Sequence, residues 1–210
     1  MSDTKERILL TALRLFARDG YEAVSVSAIA GELGMTKGAL YKHYKNKRDI
    51  FDSIFERLYQ EDVIRAKEYG VPEDVYDKAP LAFKNTSMDG LSNYIEATFR
   101  IWLEDEFACN FRKMLTLEQY RNQEMGDLYK LCVCQVSFIE DLFREMMGRG
   151  VLKENDPKLL ALEFFAPYHF LINMGMADSS SDIEEAANLL RLHIERFITI
   201  NATGDKNESD

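Results

Sequence analysis

The stretch "VSAIAGELGMTKGALYKHY", residues 26–44, has the pattern of two short helices joined by a turn. Gly34 stands between the two apolar runs and permits a tight turn there. Apolar residues recur at helical spacing on both sides of it and supply a small core: Ile29, Ala30, Leu33 and Leu40. An amphipathic helix over about residues 3–19, ended by Gly20, precedes the stretch. This combination predicts a helix-turn-helix.

Basic residues are concentrated in the second of these helices and just after it. Five of them lie within twelve positions: Lys37, Lys42, Lys45, Lys47 and Arg48. Residues 1–50 hold nine Lys/Arg and six Asp/Glu, a net charge of +3, in a chain whose formal net charge is −10. The remainder therefore carries −13. This asymmetry predicts a small basic module on a large acidic body. The acidic total does not exclude a polyanion partner, since charges beyond about 8–10 Å are largely screened.

The second helix of a helix-turn-helix enters the major groove of DNA, with its N-terminal residues nearest the base edges. Thr36, Lys37 and Gly38 hold those positions. Lys37 can donate to the O6 and N7 acceptors of guanine, and Gly38 lets the backbone approach closely. Residues nearer the next helix are spaced to reach the sugar-phosphate flank: Tyr41, His43 and Lys47. The predicted DNA-binding set is Ser25, Ser27, Thr36, Lys37, Gly38, Tyr41, Lys42, His43 and Lys47.

A bland alternative exists for this set, because a helix-turn-helix also occurs as a plain packing unit and lysine-rich turns are usually just solvated. The coincidence of basic residues with two short helices favours DNA contact. Tyr44 is the exception, for which a place in the core is favoured over a DNA contact. His43 is a single histidine on a surface helix, and the residue type and position alone do not indicate that it contacts a phosphate.

Residues 8–55 resemble the TetR family of one-component bacterial transcription regulators. The resemblance is carried by the helix end from Phe16 to Gly20-Tyr21, Ile29-Ala30, Gly34, the "KGALYKHY" helix and Lys47 at the start of a fourth helix. It covers about a quarter of the chain; the rest matches only in helix count and order. Ser27-Ala28 departs from the family, many of whose members have a longer polar or charged residue there, which shifts the expected base contacts to residues 36–43.

The fold class predicted is all-α, with about nine helices. We expect a three-helix DNA-binding domain over residues 1–47, a larger helical ligand-binding and dimerisation domain over 48–201, and a flexible tail over 202–210. Asn46 with Asp49 is a predicted cap for the fourth helix, and Asp156-Pro157 for the penultimate one. The predicted helices begin near 3, 25, 37, 47, 88, 106, 124, 157 and 181, and residues 70–87 are predicted to be a loop or a fragmentary turn.

The family resemblance implies a ligand pocket among the C-terminal helices. Bulky side chains are concentrated there, and pockets are mostly apolar with a few polar groups. The predicted ligand-binding residues are Phe99, Trp102, Phe111, Met114, Tyr129, Phe165, Tyr168 and His169. For each aromatic residue taken alone, ordinary core packing is favoured over contact with a ligand. His169 and Glu163 lie in an otherwise apolar helix, where an unpaired polar group is costly, so both roles stay open for them.

The last two helices are predicted to form a homodimer, because their apolar positions are too many for one internal face. Those positions are Leu160, Phe164, Phe165, Leu171, Ile172, Ile183, Ala187, Leu190, Ile194, Phe197 and Ile198. A four-helix interface between protomers is also what the resemblance implies. A twofold dimer sets two recognition helices about 34–36 Å apart, one DNA turn, on a palindromic operator.

The predicted function is a ligand-responsive DNA-binding transcriptional regulator, a repressor released from a palindromic operator by an unidentified small molecule. One alternative is control by a protein partner, or action as an activator. A remote alternative is an all-helical enzyme, but the sequence has no H-E-x-x-H, Gly-rich phosphate loop or nucleophile motif. We therefore predict no catalytic residue, no metal ligand and no cofactor.

The expected location is the cytoplasm, without a membrane partner. The N-terminus has no basic region followed by an apolar run, and no stretch approaches about 20 uninterrupted apolar residues. The most apolar stretch, residues 159–176, contains Glu163, His169 and Asn173 and is predicted to be a buried helix. Cys132 and Cys134 are about 200° apart around a helix and so cannot share a metal, and all three cysteines are expected to be small core residues.

Overall fold

The computed structural model describes residues 3–174 and 180–203. The all-α prediction is confirmed: within these ranges the only β-type pairing is an isolated bridge between Leu152 and Ala202. Of the predicted tail, residues 204–210 lie outside the described part of the chain. The helices are α1 Asp3–Asp19, α2 Val26–Glu32, α3 Lys37–Tyr41, α4 Lys47–Tyr69, α5 Pro80–Asn85, α6 Met88–Glu104, α7 Glu106–Glu118, α8 Gln123–Cys132, α9 Val136–Gly148, α10 Pro157–Met174 and α11 Ser180–Asn201.

The helix α5 lies inside residues 70–87, which are predicted to be a loop or a fragmentary turn. Pro80 stands at its first turn, where a missing N–H costs nothing. Phe83 is fully buried, and its ring meets those of Tyr76 and Phe138 edge-on at centroid distances of 5.3 Å each. One buried aromatic side chain therefore stabilises a turn of helix that shows no periodicity in the sequence.

The single helix predicted over residues 124–148 is two helices in the structure. The first ends at Cys132 and the second begins at Val136. Val133 is buried at the break and its N–H donates to the carbonyl of Tyr129. Gln135 precedes α9 without a side-chain cap. With α5, this break accounts for eleven helices in the described residues instead of about nine. The apolar pattern continues across the break, so periodicity alone does not reveal it.

The contacts between residues group the chain into two compact units. Unit 1 comprises residues up to 62 together with 104–133, and unit 2 comprises 63–103 and the residues from 134 onward. α7 packs along α1 within unit 1, so it belongs with the N-terminal helices by contact. The functional boundary at residues 47 and 48 stays a prediction.

The core of unit 1 is formed by the apolar stripe of α1 and the residues that close on it. Phe16 meets Tyr21 at a centroid distance of 5.1 Å, and Tyr21 meets Phe51 at 5.2 Å, both edge-on. Gly20 has a φ of 91°, which favours glycine, and its N–H donates to the carbonyl of Phe16. The predicted end of α1 at Gly20 is therefore confirmed.

The core of unit 2 contains a triangle of rings from three helices. Phe143 of α9, Phe164 of α10 and Phe197 of α11 have centroids 4.9 to 5.5 Å apart. The side chain of Asp156 accepts hydrogen bonds from the N–H groups of Lys158 and Leu159, which confirms the predicted cap of α10. These helices thus bury their apolar faces against one another within a single chain.

The residues predicted for the dimer interface are for the most part internal to one protomer. Eight of the eleven are less than 9% exposed: Leu160, Phe164, Phe165, Leu171, Ile172, Leu190, Ile194 and Phe197. The assignment of these side chains to a contact between protomers is therefore wrong. The prediction counted more apolar side chains on α10 and α11 than one internal face could bury. It did not include the packing of α9 on these two helices, where Phe143 contacts Phe164 and Phe197.

Candidate nucleic-acid interface

The two helices of the helix-turn-helix are each fixed by a capping hydroxyl. The Oγ of Ser25 accepts a hydrogen bond from the N–H of Ala28 at 3.1 Å, at the start of α2. The Oγ1 of Thr36 accepts one from the N–H of Ala39 at 3.1 Å, at the start of α3. Each hydroxyl keeps its own proton as a donor, so capping and a contact to a phosphate oxygen are compatible.

The turn between the helices depends on Gly34, whose φ is 64°. The N–H of Met35 donates to the carbonyl of Ala30 at 2.9 Å, and that of Gly34 donates to Gly31 at 3.0 Å, which satisfies the last carbonyls of α2. Ile29 and Leu40 are fully buried beneath the turn. Local sequence signals therefore place α3 relative to α2 as predicted.

The helix α3 presents a polar, basic surface to solvent. It ends at Tyr41, earlier than the predicted residue 44, although the N–H of Tyr44 still donates to the carbonyl of Leu40 at 3.2 Å. The Lys37 ammonium lies 5.7 Å from the centroid of the Tyr41 ring. Seven of the nine residues predicted for DNA are exposed: Ser25, Ser27, Thr36, Lys37, Gly38, Tyr41 and Lys42. The other two, His43 and Lys47, are half-buried.

Lys47 has its own partners within unit 1. Its ammonium donates to the backbone carbonyl of Tyr21 at 2.8 Å and to that of Glu22 at 3.3 Å. It also lies 4.3 Å from the centroid of the Tyr21 ring. The side chain therefore ties the start of α4 to the loop that follows α1, a role that spacing in the sequence did not indicate.

Tyr44 belongs to the core, as predicted. Its side chain is 1% exposed, and its hydroxyl donates to the carbonyl of Lys5 at 3.3 Å. Burial raises the pKa of Tyr44 to about 12. The hydroxyl is thus occupied in attaching the end of the helix-turn-helix to α1.

The start of α4 has a reciprocal cap. The side chain of Asn46 accepts from the N–H of Asp49, and the side chain of Asp49 accepts from the N–H of Lys45, both at 2.8 Å. The predicted cap by Asn46 and Asp49 is confirmed. It fixes the direction in which α4 leaves the helix-turn-helix.

Arg48 joins α4 to the start of α8, which lies 76 residues away in the sequence. Its guanidinium donates to Asp52 at 2.6 Å and to Glu124 at 2.8 Å. The hydrogen bond from Arg48 holds the pKa of the Glu124 carboxyl below its ordinary value. Asn122 likewise donates to Glu22 at 3.1 Å. Because Arg48 is paired, the exposed basic surface of the interface comes from Lys37, Lys42 and Lys45.

The residues predicted to bind a ligand are distributed over both units. In unit 1, Phe111 and Met114 are fully buried and Tyr129 is half-buried. In unit 2, Phe165 stacks on Tyr168 at a centroid distance of 4.7 Å, and Tyr168 meets Phe99 edge-on at 5.3 Å. Of the other two members in unit 2, Trp102 is buried and His169 half-buried. The structure therefore brings Phe99, Phe165 and Tyr168 into one aromatic cluster.

Residues 3–174 and 180–203 contain no group of three or more His, Cys, Asp or Glu side chains that could hold a metal ion. Burial raises the pKa of Cys132 to about 12, which holds its thiol in the protonated form. In the same ranges, no helix combines the length and apolarity that a membrane span requires.

The sequence is similar to those of known bacterial regulators. Residues 8–54 match the N-terminal domain of bacterial regulatory proteins of the tetR family. The fatty acid metabolism regulator protein of Bacillus subtilis is 33% identical over 148 residues, 70% of each chain. The chain belongs to the TetR family. The transcriptional regulator YhgD of Bacillus subtilis is 28% identical over 209 residues, which cover 95% of this TetR-family chain and 98% of that protein.

Other relatives match only the helix-turn-helix region. The regulator AcrR of Shigella flexneri is 44% identical over 54 residues, 26% of this chain and 25% of that protein. Solved structures share the whole fold. SmeT, the repressor of the Stenotrophomonas maltophilia efflux pump SmeDEF, has a TM-score of 0.65 at 20% identity, with 97% of this chain and 92% of that chain covered. PfmR of Thermus thermophilus has a TM-score of 0.62 at 25% identity, with 90% and 97% covered.

These relatives and structural neighbours are transcriptional regulators. This TetR-family chain is therefore a DNA-binding transcriptional regulator and not an enzyme. The helix-turn-helix predicted over residues 26–44 lies inside the matched region, and its two helices are α2 and α3.

Proposed function

We propose that this protein is a dimeric repressor that binds a palindromic operator through α3 and is released from it by a small molecule. The observation that carries the proposal is the exposed start of α3. Thr36, Lys37 and Gly38 are all open to solvent there, while Leu40 anchors the helix in the core. An exposed, basic N-terminal turn on a rigidly capped helix suits the reading of base edges in the major groove.

The contacts to DNA divide by chemistry. Lys37 is the proposed base contact, because a lysine at the start of the recognition helix can donate to guanine. The proposed phosphate contacts are Ser25, Ser27, Tyr41, Lys42, His43 and Lys47. Lys47 differs from the others in this set, because its ammonium already bonds to the carbonyl of Tyr21. It contributes to the interface chiefly by holding α4 in place.

The proposed contact between protomers is formed by the outer faces of α10 and α11. Large apolar side chains on these faces are 40 to 66% exposed: Leu159, Leu162, Phe170, Met174, Leu189, Leu192 and Ile200. On α10 the positions 159, 162, 166 and 170 recur at helical spacing and so form one stripe. Exposed apolar surface of this kind marks an interaction site, and a second copy of the same face is the occupant that a twofold operator requires.

The proposed effector site is built on the aromatic cluster of unit 2, with Trp102 and His169 on the same two helices. The cluster is apolar, and its polar edge would come from the Tyr168 hydroxyl and the His169 ring, the combination expected of a small-molecule site. A complex of SmeT with triclosan is among the solved structures that share this fold, at a TM-score of 0.62 and 21% identity. That likeness supports a small molecule as the kind of effector proposed for this fold. A role in effector binding for Phe111, Met114 and Tyr129, which belong to unit 1, stays a separate prediction.

The proposed link between effector and operator is α4, whose residues up to 62 belong to unit 1 and whose later residues belong to unit 2. An effector can shift the protein only by its differential affinity for two conformations. It would favour a tilt of α4 that moves the paired α3 helices away from their one-turn spacing. A coupling of about 1–3 kcal/mol would change operator affinity roughly 5–150-fold.

The test begins with the operator. Fragments of the source genome are selected on the purified protein, and the bound fragments are footprinted. We expect a protected palindrome with half-sites about one helical turn apart. Protection of a single asymmetric half-site, or no sequence preference over competitor DNA, would contradict the proposal.

Release is measured next, with aromatic compounds, triclosan first among them, that change the fluorescence of Trp102. Each binding compound is titrated with and without the operator duplex. Because coupling is reciprocal, an effector that releases the repressor must bind more weakly to the DNA complex by the same factor. Tighter binding to the complex would indicate a corepressor. Equal affinity would exclude the compound as an effector, and a partner protein would become the better explanation if every binding compound behaved so.

A further inference from the structure

The side chains of Lys37 and Tyr41 lie on the same face of α3, one turn apart. The Lys37 ammonium is 5.7 Å from the centroid of the Tyr41 ring, within the range of a cation–π interaction. A helical side chain leans toward the N-terminus of its helix, so the ring of the later residue covers the turn that the lysine begins. Both side chains are exposed to solvent. The contact therefore lies within the surface proposed to face DNA.

The Tyr41 ring is the group that holds the Lys37 ammonium. Among the described residues, this ammonium makes no salt bridge and no hydrogen bond. The other positions three or four residues away are Leu33, Gly34 and Leu40, none of which carries a charge. The first turn of α3 contains no acidic residue. A single aromatic ring thus orders a lysine that has no carboxylate within reach along its own helix.

Lys42, at the other end of α3, is a lysine without such a ring. Its side chain is exposed, and in the described part of the chain its ammonium has no ion pair, hydrogen bond or aromatic contact. The residues one turn before it are Gly38 and Ala39, whose side chains cannot hold an ammonium. The helix α3 therefore carries one lysine whose ammonium is held and one whose ammonium is not.

The proposed roles of these two lysines require different degrees of order. Phosphate oxygens position a protein on DNA without reading sequence, whereas the O6 and N7 acceptors of guanine have fixed positions in the major groove. Fixing a lysine costs side-chain entropy, because its stem has four rotatable bonds. A base contact therefore gains from a side chain that is ordered before DNA binds. Lys37, the proposed base contact, is the ordered lysine of the two.

We infer that the Tyr41 ring is a positioning group for Lys37, which orders the ammonium before DNA binds and so sharpens the preference for one base pair in each half-site. The inference rests on the proposed base contact of Lys37 and adds a residue that determines specificity without touching a base. The Tyr41 hydroxyl, proposed to contact a phosphate, is a separate group of the same side chain. An exposed cation–π contact changes an equilibrium about 2–5-fold, which is the size of the effect expected.

Two substitutions separate the ring from the hydroxyl. Tyr41→Phe removes only the hydroxyl, and Tyr41→Leu removes both groups. The side chain is 44% exposed, so both variants should fold, as circular dichroism will show. Each full-length variant is titrated with the selected operator and with the duplex whose base-pair change Lys37→Ala no longer discriminates. Tyr41→Phe should lower affinity for both duplexes and keep their ratio, whereas Tyr41→Leu should also lower that ratio about 2–5-fold per half-site.

The same comparison in the Lys37→Ala background shows whether the ring acts through the lysine. There the two Tyr41 variants should discriminate between the duplexes equally, because the group that the ring orders is absent. Nuclear magnetic resonance of the protein without DNA is an independent readout. Tyr41→Phe should keep the upfield ring-current shift of the Lys37 Hε protons, and Tyr41→Leu should abolish it. Neither substitution should shift the Hε protons of Lys42.

Three results would each overturn the inference. They are an equal ratio of affinities in Tyr41→Phe and Tyr41→Leu, a further loss of discrimination by Tyr41→Leu in the Lys37→Ala background, and Lys37 Hε protons that are not shifted in the unmodified protein. A Lys37→Ala variant that keeps every base preference would instead refute the proposed base contact, and the inference with it. Failure of the proposed function and failure of the inference alone are therefore distinguishable.

Discussion

The Lys47 ammonium donates a 2.8 Å hydrogen bond to the backbone carbonyl of Tyr21 and lies 4.3 Å from the centroid of that residue's ring. Tyr21 in turn meets both Phe16 and Phe51 edge-on. The first residue of α4 is thus hydrogen-bonded to the second residue after α1. A lysine that spacing assigned to a DNA phosphate therefore also holds two helices of the DNA-binding unit together.

Lys47→Ala should lower stability as well as DNA affinity. We expect a loss of about 1–3 kcal/mol in the free energy of unfolding, because two carbonyls lose a charged donor and Tyr21 loses its cation. Urea unfolding measures the effect. Lys45→Ala is the matched control, since that side chain is exposed, and its stability should equal that of the unmodified protein. Equal stability of the two variants would contradict the structural role of Lys47.

The salt dependence of DNA binding then separates the two roles of Lys47. If its ammonium also neutralises a phosphate, the slope of log K against log salt should become shallower by about 0.9 in Lys47→Ala. If it acts only through the position of α4, affinity should fall at every salt concentration with the slope unchanged. The proposed phosphate contact of Lys47 requires the first result, and the second would limit the residue to its structural role.

Gly20→Ala should destabilise the protein by more than about 1 kcal/mol. The residue has a φ of 91°, and an added Cβ would collide with the Glu118 carboxylate, whose side chain is 1% exposed and cannot easily move. Gly31→Ala is the control, because Gly31 lies in α2 with nothing near its Cβ position and alanine favours a helix. Thermal unfolding should show a lower Tm for the first variant and an equal or higher Tm for the second. The reverse order would mean that α7 does not pack on this turn.

Phe170→Glu should yield a folded monomer with weak operator affinity. The side chain is 66% exposed, so the change costs the fold little, whereas a carboxylate in an apolar contact between protomers has no partner. Phe197→Glu is the contrasting variant. Its ring is 5% exposed and packs on Phe143 and Phe164, so this change should unfold unit 2. Sedimentation and circular dichroism together distinguish the outcomes, and a stable dimer of Phe170→Glu would place the interface elsewhere.

The parts of the fold that depend on short-range signals could be predicted from the sequence. Gly34 needs a positive φ, Asn46 with Asp49 forms a cap, and both act within a few residues of themselves. The packing of α7 on α1 could not be predicted, because no local pattern states which distant helix covers an apolar stripe. The pair of Arg48 and Glu124, 76 residues apart, is invisible for the same reason.

The candidate sites show the same division. The aromatic residues of α6 and α10 indicate an apolar site, and the rings of Phe99, Phe165 and Tyr168 do lie together. Only the structure shows that Phe99 contacts Tyr168. Phe164 and Phe197 were assigned to the wrong contact because a buried face looks alike in sequence whether its partner is the same chain or another copy.

The operator affinity of Lys37→Ala, measured across a set of single-base variants of each half-site, tests whether the start of α3 reads base pairs. We expect a loss of about 1–3 kcal/mol and relaxed preference at one base pair per half-site. The matched control, Lys42→Ala at the opposite end of α3, should weaken all duplexes alike and leave every preference intact. Unchanged affinity in Lys37→Ala, with every base preference retained, would contradict the claim that the start of α3 reads the operator.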